Sequence, residues 1–153
     1  MTWLLLAAAW LDAAGVKAWA GGPPYAWINV LHLLGLVMLV GGIGAVDLRV
    51  AGLWRTLPLP ALSRALTPVA VAGLLLQVAG GTLLFAADGR TLAASPVFQA
   101  KLVLVALALA NALVFRLLWR DLDRPPPMAR VMAIGSLALW LAVGALGRLI
   151  AYR

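Results

Sequence analysis

The chain has one histidine and no cysteine. That histidine, His32, lies inside an apolar stretch, one helical turn after Asn29. An imidazole in such a place can ligate a b-type haem or act as a polar gate. The plainer role is a neutral ring hydrogen-bonded to a neighbouring helix. A bis-histidine haem needs a second ring, and the sequence has none. Met38, in the same stretch, cannot reach the far side of an iron held by His32. Lys101 and Arg148 belong near the same membrane face, so Asn29, His32, Lys101 and Arg148 form a candidate polar cluster. A guanidinium there would hold a phosphate or small anion with its two-pronged fork, while an ammonium would add charge without direction.

Asp47 and Arg49 are the second candidate, an ion pair that Arg116 or Arg120 could extend. Such pairs are more often structural than catalytic. Gln77 and Asn111 are amides inside apolar blocks, suited to hydrogen bonds between helices worth ~0.6–2 kcal/mol each. No set offers a nucleophile, a base and an orienting group together. The lack of Cys and Glu removes disulfides, thiolate metal sites, haem attached through cysteines and Glu-bearing di-iron centres. The expectation is no catalytic residue, no metal and no cofactor, with haem b on His32 as the alternative.

The elements that carry these residues follow from four apolar blocks, near 26–46, 67–87, 101–119 and 131–152. Each is about 20 residues, hence ~30 Å of helix, the thickness of a bilayer's hydrocarbon core. They are apolar on every face, which predicts lipid as the solvent. Hydrophobic residues are 65% of the chain and charged ones 11%, against ~45–50% and ~25% in soluble domains. The reading is one all-α transmembrane domain over 1–153, an integral membrane four-helix bundle.

Residues 1–20 are the ambiguous segment. Ala18-Trp19-Ala20 resembles a signal-peptidase site, but the start lacks a basic region, and Asp12 and Lys17 interrupt the apolar run. As a full span it would bury Asp12 near the membrane centre, at ~2.5–3.5 kcal/mol. The favoured reading is an amphipathic helix lying in the interface, with Trp3 and Trp10 toward the acyl chains, ended by Gly21-Gly22-Pro23-Pro24.

Helix boundaries are expected at Thr67-Pro68 and Ser95-Pro96, where an N-cap precedes a proline. Asp88-Gly89-Arg90 reads as a turn. The first span should continue through Asp47-Leu48-Arg49. Gly35 and Gly42, Gly73 and Gly80, and the alanines around Ala108 offer the close approach by which lipid-solvated helices associate. Ser136, Trp140, Gly144 and Arg148 share one face of the last span.

The net charge of +7 is spread singly over helix ends, which fits headgroup anchoring rather than nucleic acid. Seven arginines (49, 55, 64, 116, 120, 124 and 130) flank the first and third connections. Five basic residues (17, 90, 101, 148 and 153) flank the other side. The positive-inside rule then predicts both termini outside the cytoplasm.

Several segments together resemble a family of small bacterial membrane proteins. They are Trp10-Leu11-Asp12, Leu31-His32-Leu33-Leu34-Gly35, Val46-Asp47-Leu48-Arg49, the run from Ser95 to Lys101, Leu109 to Leu113, and Gly147 to Tyr152. The resemblance covers the whole chain and implies a four-span fold of unassigned activity in the bacterial inner membrane. Members of that family often carry a histidine where this chain has Arg116. Positions 32 and 116 would lie ~15–20 Å apart in depth, too far for one iron. The first span also distantly resembles copper-resistance D proteins, although the supply of Met and His is thin for a copper path.

The expected function is therefore a non-enzymatic accessory or scaffold subunit. Its partners would be the bilayer and other membrane subunits or further copies of itself. The alternative is a haem-b electron-transfer subunit. Transport would need a continuous polar path, for which Gln77, Asn111 and His32 are too sparse.

Overall fold

The computed structural model describes residues 2–119 and 124–150. Two short helices, α1 (Thr2–Ala13) and α2 (Val16–Ala20), precede four long ones: α3 (Tyr25–Ala51), α4 (Leu59–Ala94), α5 (Pro96–Trp119) and α6 (Pro127–Ile150). The long four are each apolar and long enough to cross a membrane, and no strand occurs among the described residues. The protein is an all-helical, multi-pass membrane bundle. Large apolar side chains face outward all round it, such as Leu75 at 65% and Leu117 at 74% exposure. In water that surface would drive aggregation; in lipid it is the solvated face.

Several boundaries differ from expectation. The N-terminal segment is two helices, because Gly15 takes a left-handed φ of 75° and turns the chain between them. The second span starts at Leu59. Pro58 is extended and Pro60 lies in the first turn, where a missing N–H costs nothing. Thr67-Pro68 is therefore no start; Pro68 sits inside the helix. Membrane bundles tolerate this when neighbouring groups re-satisfy the freed backbone. The predicted turn at Asp88-Gly89-Arg90 is instead a kink at Asp88 (φ −138°, ψ 39°), after which the helix resumes to Ala94. Ser95 does cap α5, its Oγ accepting from the Phe98 N–H at 3.4 Å. α3 runs past Arg49 to Ala51, as the sequence suggested. Arg120, Ala151, Tyr152 and Arg153 lie outside the described residues.

Contact between α3 and α4 is the most extensive in the molecule. It is a seam of small residues. A Cβ on Gly73 would stand 2.5 Å from the Leu39 nitrogen and 2.7 Å from the Gly35 oxygen, and one on Gly42 would stand 3.1 Å from Ala70 Cβ. Glycine alone permits that approach. α6 packs on α3 and on α5, giving the lateral order α4–α3–α6–α5. α4 and α5, although consecutive, scarcely touch. Near their connection the rings of Phe85 and Phe98 stack at 5.6 Å. α1 packs beside this corner, with Leu4 and Ala8 buried against Phe85 and Ala93. Asp12 there lies 3.9 Å from Lys17 and 3.7 Å from Arg90.

Candidate functional site: a side-open cleft

The scant contact between α4 and α5 leaves a cleft of about 730 Å³, backed by α3 and α6. That volume falls in the small-molecule range. Leu39 and Ile43 of α3, Leu74 of α4 and Leu109 of α5 make it mostly apolar. Its polar groups converge from all four helices. Asp47 of α3 and Ser136 and Trp140 of α6 line it and are buried, at 4%, 3% and 4% exposure. Ser136 lies within hydrogen-bonding reach of the Asp47 carboxyl. Asp47 Oδ2 and Trp140 Nε1 are buried without a hydrogen-bond partner among the described residues. Such groups are costly in a membrane interior, where no bulk water compensates them. Arg64 of α4 and Arg116 of α5 also line the cleft, and both are exposed.

The expected ion pair between Asp47 and Arg49 does not form. Residues two apart on a helix point to different sides. Arg49 instead donates from Nε to the Leu57 carbonyl at 2.8 Å and from Nη2 to the Arg55 carbonyl at 3.1 Å. It thus secures the loop after α3, where Gly52 and Trp54 have positive φ. Its role is structural.

The sequence-derived cluster around His32 is only partly assembled. His32 is half-buried, its ring laid on α4 at Gly80 and Gly81. Added Cβ atoms would stand 3.3 Å from Nδ1 and 3.2 Å from Cε1 respectively. Nδ1 is buried without a partner. Lys101 is within electrostatic range of the ring, and its Nζ reaches α6 at Gly147, where an added Cβ would stand 3.2 Å away. Asn29 is exposed and makes no side-chain hydrogen bond among the described residues, and Arg148 is exposed. The two amides bridge helices: Gln77 Nε2 donates to the His32 carbonyl at 2.6 Å, and Asn111 Nδ2 to the Met132 carbonyl at 3.2 Å.

Sequence reasoning missed the grouping of Asp47 with Ser136 and Trp140. A signal existed: an Asp inside an apolar helix, and a Ser and a Trp four residues apart on another. Chemically the cleft offers an acceptor, an indole donor and a hydroxyl among apolar walls. Neither a nucleophile–base set nor a group of three metal-ligating side chains occurs among the described residues. The arrangement is suited to binding. Compared with protein-family models, curated proteins and solved structures, the chain matches none.

Proposed function

We propose that this chain is a non-enzymatic accessory or scaffold protein of the bacterial inner membrane, acting by binding and not by turnover. The cleft carries this reading. The bundle is open on one side, and among the described residues the opening holds buried polar atoms without partners and no catalytic set. The asymmetry of basic residues supports both termini on the non-cytoplasmic side, with α1 lying in the interface. α1 has 12 residues, ~18 Å, which is too short to span. The particle mass after extraction into nanodiscs tests the proposal. A second copy or another membrane protein should accompany the 16.0 kDa chain. A stable monomer with no protein companion overturns it.

The competing reading is a b-type haem carrier ligated by His32. It draws on the unpartnered Nδ1 of that ring. Against it stand the lack of a second histidine and the glycine backbone of α4 closing one side of the imidazole. An absorption spectrum separates the two readings.

A further inference from the structure

We propose that the cleft between α4 and α5 is a binding site for a phospholipid whose headgroup carries a primary amine. In this arrangement the phosphate meets Arg64 and Arg116, the ammonium meets Asp47, and an ester carbonyl accepts from Trp140.

The signs of the charges set the headgroup. Arg64 and Arg116 approach the cleft from opposite walls, and neither has a carboxylate partner among the described residues. Arg64 spends only Nε, on the Pro60 carbonyl at 3.3 Å. Two guanidinium groups carried on the two helices that border the opening suit one phosphate. Asp47 is a buried carboxyl with an oxygen that has no hydrogen-bond partner among the described residues. An ammonium carries three donors and a positive charge, so it can donate to the open oxygen and hold the carboxyl in its charged form. A trimethylated amine has the charge without the donors; a glycerol headgroup has the donors without the charge.

The orphan indole N–H of Trp140 lies one turn beyond Ser136 on α6, toward the apolar part of the cleft. Glycerol esters sit just below a phosphate and supply the acceptor it lacks. Leu74 and Leu109 flank the path along which an acyl chain would leave toward the bilayer.

The cleft opens toward the bilayer between α4 and α5, and an acyl chain needs no enclosure at its far end.

The site uses the cleft on which the accessory reading rests, but the two fail separately. Protein companions and lipid adducts are distinct masses in one native mass spectrum. The whole chain is to be released from nanodiscs containing equal parts of phosphatidylethanolamine, phosphatidylcholine and phosphatidylglycerol with identical acyl chains. Phosphatidylethanolamine should remain bound at collision energies that strip the other two. Asp47→Asn should lower its retention about tenfold, to the level of phosphatidylcholine. The Arg64→Gln, Arg116→Gln double variant should lower all three lipids, and Trp140→Phe should weaken them equally without changing their order. The wild-type comparison needs no variant, so misfolding of a mutant cannot mask the answer. Equal retention of the three lipids by the wild type overturns the proposal. So does a preference for phosphatidylglycerol, an ethanolamine preference that survives Asp47→Asn, or a second protein chain filling the cleft in place of lipid.

Discussion

The side-chain amide of Gln77 on α4 donates to the main-chain carbonyl of His32 on α3 at 2.6 Å. The bond ties the two helices at the level where Gly80 and Gly81 receive the histidine ring. Replacing Gln77 by Leu keeps the bulk and removes the donor. The expected loss is about 0.6–2 kcal/mol of bundle stability, the span for hydrogen bonds between membrane helices. Unfolding in mixed micelles, followed by circular dichroism, measures it. An unchanged midpoint would show that this amide contributes nothing to the seam.

Gly73 gives a sharper contrast. Its missing side chain faces backbone atoms of α3 that cannot move aside, whereas nothing lies within 4 Å of a Cβ on Gly41. Gly73→Ala should destabilise the bundle by about 1–3 kcal/mol through overpacking. Gly41→Ala should leave it as stable as the parent or slightly more so, since alanine is the better helix former. The same micelle titration reads both variants, and equal effects would contradict the closeness of the α3–α4 seam.

Expression with haem supplied, followed by purification, should give a protein without a Soret band. His32→Ala should leave the visible spectrum unchanged. A Soret band that disappears in this variant would establish the haem carrier and end the accessory reading.

The absence of native cysteine makes orientation measurable with single-cysteine variants. Ala14→Cys, at the exposed bend between α1 and α2, should react with a membrane-impermeant maleimide in intact spheroplasts. Thr56→Cys, exposed in the α3–α4 loop, should react only after permeabilisation. The reverse pattern would turn the bundle over and place Arg49, Arg55 and Arg64 outside, against the positive-inside rule.

The four spans were legible because each is a long apolar run, and lipid demands no more of an outward face. Local cap chemistry located the start of α5 at Ser95-Pro96. It misplaced the start of α4, since Thr67-Pro68 is the same dipeptide pattern sitting inside a helix. What distinguished them was Pro58 and Pro60 upstream, which supply an extended residue and a first-turn proline. Lateral order was less legible still. Hydropathy says which residues meet lipid or protein, not which helix stands beside which. The separation of α4 from α5, and with it the cleft around Asp47, therefore appears only in the fold. Sequence proximity pairs Arg49 with Asp47, whereas helical geometry sends it to the carbonyls of the following loop.

A single residue, Ser95, links α4 to α5, yet the main partner of α4 is α3 and that of α5 is α6. The bundle is thus two antiparallel hairpins laid side by side, each pairing consecutive helices. The first can close its glycine seam while the second is still being synthesised. The packing of α6 on α3 is what joins the two hairpins. A break in the chain at Ser95 would leave each hairpin with its main interface intact, so co-produced halves have what they need to find one another in the membrane.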